Sequence, residues 1–169
     1  MNSSEASARA AVRIYEVSPR DGLQNEAAVV PTAAKAELVA RLVAAGLPDV
    51  EVTSFVRAHW IPQLADAAEL VRLLPDAAES RFWGLVPNQV GLERAIESGI
   101  AGVATFLSAS ETHNKKNVNR TVRESLAGVE EVLAAARADG LRTRAYISTV
   151  FGCPYEGDVA PAATLAIAT

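Results

Sequence analysis

The residues of this chain best suited to chemistry cluster in Ser18-Pro19-Arg20-Asp21-Gly22-Leu23-Gln24-Asn25-Glu26. A guanidinium only donates hydrogen bonds and a carboxylate only accepts them. Arg20 and Asp21 therefore offer, side by side, a group for developing negative charge and a group for a cation. With one glycine, Gly22, the segment is a poor cradle for a pyrophosphate, which a glycine-rich turn would serve better. Glu16 and Glu51 each interrupt a short β-branched run. Parallel strands are covered on both faces and normally read as nearly continuous Val, Ile and Leu. A carboxylate in such a run faces solvent at a fraying end, pairs with a cation, or points into a functional interior. Two on successive runs favour the interior, with Glu51 as the buried partner of Arg20.

Other chemistry-bearing residues are more scattered. Gln24, Ser54, Asn88, Ser108, Ser110, Glu111, Tyr155 and Glu156 each follow a candidate strand, so one end of a sheet would collect them. His59 and His113 stand alone in loop-like segments, where a surface polar role is expected rather than metal binding. Lys115 and Lys116 read as a solvated charge pair at a helix start. The single cysteine, Cys153, cannot form an intramolecular disulfide; it is expected as a small packed side chain, and nothing demands an oxidising compartment.

The elements that must position these groups follow from hydrophobic period. Short β-branched runs at Arg13–Ser18, Asp49–Ser54, Arg81–Val86, Gly102–Ser108 and Thr143–Thr149 alternate with helical periodicity at Thr32–Ala45, Pro62–Leu74, Asn88–Ser98 and Val122–Asp139. Thr32 is placed as an N-cap, Gly46, Gly99 and Gly140 as stops, and a further helix near Pro161. This βα rhythm predicts a parallel sheet with right-handed crossovers, either doubly wound or a (β/α)₈ barrel. The first turn lacks a phosphate loop, which favours the barrel. Arg20 and Glu51 would then lie at the mouth formed by the C-terminal strand ends.

Composition bounds the rest. Of 169 residues, 50% are apolar, enough for a core, and the net charge of -4 is spread without a basic stripe, so nucleic acid is an unexpected partner. Apolar stretches fall short of a bilayer span. Residues 1–12 are expected to be a disordered tail, too short for a signal peptide, and residues 13–169 one domain. A cytoplasmic location is expected.

The blocks Glu16–Glu26, Glu51-Val52-Thr53-Ser54-Phe55-Val56, Ser108-Ala109-Ser110-Glu111-Thr112, Lys116-Asn117-Val118-Asn119 and Gly152-Cys153-Pro154-Tyr155-Glu156-Gly157 resemble, in the same order, blocks of 3-hydroxy-3-methylglutaryl-CoA lyases. These lyases belong to a wider group of metal-dependent lyases and Claisen-type synthases sharing an Arg-Asp-Gly-x-Gln turn. Ser18-Pro19 and Asn25-Glu26 favour the lyases; a related aldolase or synthase, or a non-catalytic remnant, is the alternative.

The resemblance implies Mg²⁺- or Mn²⁺-assisted cleavage of a hydroxymethylglutaryl thioester to acetoacetate and acetyl-CoA, as in leucine breakdown. It implies Asp21 as a metal ligand, Arg20 as the group facing developing charge, Glu51 as its support, and Gln24 and Ser54 as substrate contacts. Lys115 and Lys116 are candidates for coenzyme A phosphates. Cys153 occupies the place of the earlier, non-catalytic cysteine, and the His-x-His pair expected among the metal ligands is absent from this sequence. A barrel of this kind takes about 250 residues and eight strands, and five fit here. The chain is thus expected to form about the first five β/α units of a TIM barrel, to be inactive by itself, and to associate as a homo-oligomer or with strands that complete the wall.

Overall fold

The computed structural model describes residues 12–77 and 80–169. Five strands, β1 (Tyr15–Glu16), β2 (Asp49–Ser54), β3 (Arg81–Leu85), β4 (Gly102–Ser108) and β5 (Arg142–Ser148), are parallel and pair in chain order β1-β2-β3-β4-β5. An order without reversal means that successive crossovers wind the same way; a doubly wound sheet would reverse at its switch point. β1 and β5 are the outermost members, and in a flat sheet four strand spacings would hold them roughly 19 Å apart. Instead the rings of Tyr15 and Tyr146 lie 6.4 Å apart. The sheet is strongly curled: it is an α/β partial barrel wall with a concave inner face.

The outer face carries the core. Val39 of α1 (Thr32–Ala44), Leu70 of α2 (Ala67–Arg72), Leu92 and Ala95 of α3 (Gln89–Ser98) and Val132 and Ala136 of the later helix Val122–Ala138 form one cluster with Val50, Val52 and Val103 of the sheet. A fully buried Val or Leu contributes roughly 1.5–3 kcal/mol, so this layer anchors the strands that carry the polar inner face. At Gly84 a Cβ would come 2.5 Å from the Phe55 ring, which explains a side-chain-free position in β3.

Several boundaries differ from the sequence expectation. β1 covers Tyr15–Glu16 rather than Arg13–Ser18, because the chain at Ser18–Gly22 winds into a wide π-type turn with Pro19 at its start. Pro31, not Thr32, occupies the N-cap of α1, and its cap makes no side-chain hydrogen bond. The helix expected over Pro62–Leu74 divides into a 3₁₀ turn, Pro62–Leu64, and α2. Asp66, at the N-cap of α2, makes no capping bond; its carboxylate accepts from Lys35 Nζ at 2.7 and 2.9 Å. Asn88 does cap α3, accepting from Gly91 N–H at 3.0 Å, and Gly99 closes it at φ 79°.

The stretch expected as a loop after β4 contains α4 (Glu111–Val118), followed by α5 (Val122–Ala138). His113 is therefore helical, and Lys115 and Lys116 lie in the last turn of α4 rather than at a helix start. Ser110 caps α4, and Thr121 with Glu124 forms a reciprocal capping box on α5. Buried Asn114 ties the segment together, accepting from Ser108 N–H and donating to the Arg120 and Thr121 carbonyls and Ser125 Oγ. After β5 come a hairpin, β6 (Gly152–Cys153) with β7 (Gly157–Asp158), and α6 (Pro161–Ala168). The tail expected over residues 1–12 lies, except for Val12, outside the described residues.

Candidate active site

Arg20 is set by the π-type turn at the C-terminal end of β1, where Arg20 N–H and Asp21 N–H both bond back to the Val17 carbonyl, at 3.0 and 2.7 Å. Glu16 does not enter the inner face with Glu51. Its carboxylate accepts from Ser18 N–H at 2.7 Å, and that backbone bond holds it below the usual carboxylate range. Its work is to close the turn that carries Arg20.

Glu51 is fully buried on β2, next to a register shift between Glu51 and Thr53. Such an irregularity re-aims side chains beside active sites. Arg20 Nε donates to Glu51 Oε1 at 2.5 Å, while Tyr15 and Tyr146 hydroxyls donate to Oε2 at 2.9 and 2.7 Å. A carboxylate left unpaired here would carry a heavy desolvation cost; three donors from three other segments offset it. Arg144 covers the tyrosines from β5, its guanidinium carbon 4.1 Å from the Tyr15 ring centre and 5.1 Å from that of Tyr146. Arg20 Nη1 also donates to Asp21 Oδ1 at 2.6 Å. Two of the five guanidinium N–H donors are thus used, leaving three on a side chain only 12% exposed.

A second cluster adjoins the first, with the Trp83 ring centre 5.5 Å from that of Tyr15. Asp49, two residues before Glu51, accepts from Trp83 Nε1 at 2.9 Å and pairs with Arg13. Burial raises its pKa, but Arg13 and Trp83 outweigh this and hold it low. Lying at the N-terminal end of β2, this cluster plugs the barrel floor, where residues serve stability.

Burial pushes the Tyr146 hydroxyl up to about 12, with its hydrogen bond to Glu51 adding to the shift. Burial, then the charge of Glu51, raises Tyr15 as well. An unfolded tyrosine ionises near 10. Between there and 12 the unfolded chain releases a proton the folded chain retains, so stability is full below pH 10 and falls as pH rises. Denaturant midpoints are expected to drop over this window, and a Tyr146→Phe variant to show a shallower drop; equal slopes for the two proteins would contradict the assignment.

The other expected site residues divide. Gln24 stands just past the π-type turn, half-buried, without a side-chain hydrogen bond among the described residues. Ser54 is fully buried and its hydroxyl donates to the Leu85 carbonyl at 3.3 Å, which commits it to the β2–β3 seam. Several polar residues expected to gather at the mouth tie loops instead: Glu156 accepts from Thr112 N–H at 2.6 Å, Glu111 from Val122 N–H at 3.0 Å, and Ser108 bonds Thr149 at 2.6 Å. Cys153 packs against α4, with Ser110 Oγ donating to Sγ at 2.9 Å. Burial raises its thiol, but the Ser110 hydroxyl and the Tyr155 and Glu156 amides prevail and leave it below the usual range.

Tyr15, Tyr146 and Arg144 were not singled out from sequence. The available signal was the alternation Arg142, Arg144, Tyr146, Ser148, a period of two that places polar groups on one face of β5.

Asp21 is the carboxylate best placed for a cation, 54% exposed at the mouth beside Arg20. Among the described residues, however, no three His, Cys, Asp or Glu side chains gather closely enough to hold a metal. One carboxylate already bonded to a guanidinium does not fit a complete divalent-cation centre. Among the described residues no helix is long and apolar enough to cross a membrane.

Comparison with known proteins agrees with this architecture. The HMGL-like family matches residues 11–169. The chain is 48% identical over 151 residues to bovine (Bos taurus) mitochondrial hydroxymethylglutaryl-CoA lyase, covering 89% of this chain and 46% of that protein. It is 49% identical over 148 residues to a hydroxymethylglutaryl-CoA lyase of Bacillus subtilis, covering 88% and 50%. A mouse (Mus musculus) relative, 45% identical with 89% and 44% covered, is named as a cytoplasmic 3-hydroxy-3-methylglutaryl-CoA lyase, so both compartments occur among the relatives. The crystal structure of a Bacillus subtilis HMG-CoA lyase superimposes with a TM-score of 0.90 at 46% identity, covering 93% of this chain and 53% of that one. An Acinetobacter baumannii HMG-CoA lyase in complex with coenzyme A and 3-methylmalate gives 0.86 at 35% identity, covering 92% and 50%. The chain spans about half the length of the curated relatives it matches.

Proposed function

Because the chain belongs to the HMGL-like family of carbon-carbon lyases, we propose that it carries the charge-stabilising part of a 3-hydroxy-3-methylglutaryl-CoA lyase site. The reaction cleaves the substrate to acetoacetate and acetyl-CoA, in leucine breakdown, with an acyl-CoA as the partner molecule and a cytoplasmic setting. The observation that carries this reading is the buried Arg20–Glu51 pair, locked by the tyrosine hydroxyls of Tyr15 from β1 and Tyr146 from β5.

In the cleavage, the substrate hydroxyl loses its proton and its oxygen becomes the new carbonyl of acetoacetate. The bond to the adjacent carbon breaks, and its electron pair passes into the thioester as the acetyl-CoA enolate, which then takes up a proton. Arg20, with three N–H donors left, stabilises the charge growing on the thioester oxygen. Glu51 keeps the guanidinium at one angle, and Tyr15 and Tyr146 keep Glu51 in place. Gln24 is a substrate contact in this reading; Ser54 supports β2 behind the pair. Asp21 is the single cation ligand from this stretch, for Mg²⁺ or Mn²⁺, and no step here depends on the ion.

The test is a chimera in which residues 13–169 replace the matching stretch of the Bacillus subtilis relative. Acetoacetate release within about tenfold of the parent is expected, with Asp21→Asn raising the Mn²⁺ concentration needed. Correctly folded chimera without acetoacetate release would sink the proposal. The 169-residue chain assayed alone is expected to release none.

A further inference from the structure

β5 pairs with β4 on one side and, among the described residues, with no strand on the other. Arg142 N–H donates to the Ala101 carbonyl, and the Ser148 carbonyl accepts from Ala109 N–H, so these even positions turn their backbone toward β4. By alternation Thr143, Ala145 and Ile147 turn their N–H and C=O groups to the open side. An edge of this length is a template for strand addition, and β5 carries neither a proline nor a register shift against β4 that would blunt it.

Charge decides which strand such an edge can accept. Thr143 Oγ1 accepts from Arg137 Nε of α5, which places the odd positions of β5 on the outer face and leaves Arg142 and Arg144 on the inner face with Tyr146. Among the described residues neither arginine enters an ion pair. The inner-face carboxylates of β2 are already taken: Glu51 by Arg20, and Asp49 by Arg13, with Arg81 Nη1 4.0 Å away. Both Arg142 and Arg144 are exposed, so water meets their charge. A strand laid along β5 removes that water, and a guanidinium buried without a counter-charge carries a heavy desolvation cost. Carboxylates on the inner face of the incoming strand offset it, since each can accept two parallel N–H bonds from one arginine. A second copy of β5 does not meet this need: its inner face repeats Arg142, Arg144, Tyr146 and Ser148 and holds no acid.

We propose that the open edge of β5 is a docking site for an acidic extended segment of another polypeptide, which adds as a strand with its carboxylates against Arg142 and Arg144. The backbone groups of Thr143, Ala145 and Ile147 supply the rungs, and the two arginines select acidic over neutral or basic sequence. Nothing in this inference depends on the lyase reading.

The probe is a fluorescein-labelled peptide of about ten residues, valine alternating with glutamate, titrated into the 169-residue chain and followed by anisotropy. Saturable binding is expected, about tenfold weaker when glutamine replaces glutamate and lost when lysine does. The Arg142→Gln/Arg144→Gln double variant should weaken the glutamate peptide about tenfold and leave the glutamine peptide unchanged, a pattern that a damaged fold would not give. Ala145→Pro removes an open-side donor that the β4 ladder does not use, and should abolish binding of both peptides, with circular dichroism checking the fold. Equal affinity for the glutamate, glutamine and lysine peptides would overturn the charge selection, and no saturable binding up to about 1 mM would overturn the docking site itself. Glutamate-peptide binding that survives Ala145→Pro in a folded chain would mean a basic patch without strand addition. A dimer of the chain alone that Ala145→Pro dissociates would assign the edge to a second copy; either result overturns the proposal.

Discussion

Arg20→Met in a complete lyase carrying this sequence is expected to lower kcat by roughly 10²-fold or more, with a smaller change in KM. Methionine keeps much of the apolar volume and removes every donor. The loss should fall on the transition state, because in the proposed function the charge that Arg20 meets would exist only as the carbon-carbon bond breaks. Arg20→Lys should recover little: an ammonium cannot span Glu51 and Asp21 with the fixed fork that Nε and Nη1 provide. Glu51→Gln keeps the shape but leaves Arg20 without its buried counter-charge and Oε2's two tyrosine donors with a weaker acceptor. It should therefore lower kcat in the same direction. Steady-state acetoacetate kinetics of these variants check the claim; a kcat within threefold of the parent for Arg20→Met, an on-the-order-of 1 kcal/mol effect or less, would remove Arg20 from the chemistry.

The second large effect concerns folding. Lys35 is 1% exposed, and its ammonium bonds both oxygens of Asp66 and the Gln63 carbonyl, joining α1 to the turn before α2. Removing one partner of a buried pair typically costs about 3–5 kcal/mol, because the other charge is left without compensation. Asp66 retains 18% exposure, so Lys35→Met should fall at the lower end, about 3 kcal/mol. For a domain of this size that lowers Tm by roughly 6–12 °C. Urea denaturation should show the midpoint moving without a change in slope. A double variant, Lys35→Met with Asp66→Leu, should recover part of the loss, since an apolar pair leaves no buried charge. An unchanged midpoint for Lys35→Met would show that the pair contributes nothing net.

Much of the fold was legible before any coordinates. The glycine stop signals at Gly46, Gly99 and Gly140 fall where helices end, because backbone preference at such positions is local. The β4 boundaries agree as well, since Val103, Ala104, Thr105, Phe106 and Leu107 form an uninterrupted run. α4 escaped because its own residues are polar; what makes it a helix is Ser110 capping it, Asn114 anchoring it to β4 and α5, and Glu156 reaching over from the hairpin. Those partners lie as many as 44 residues away. Ser54, which the resemblance implied as a substrate contact, has its buried hydroxyl donating to the Leu85 carbonyl, a partner that only the paired sheet could show.

By itself the sequence determined which residue types stand at each strand end, the βα rhythm, and the pairing of Arg20 with Glu51, because type, period and the cost of a lone buried charge are all readable along the chain. Only the tertiary structure decided that Glu16 would turn away to close its own loop and that Tyr15 and Tyr146 would converge on Glu51. That convergence joins residues 95 apart, and it exists because the sheet curls until its first and fifth strands face each other. Curvature is a property of five strands twisting together, and no single strand's sequence contains it.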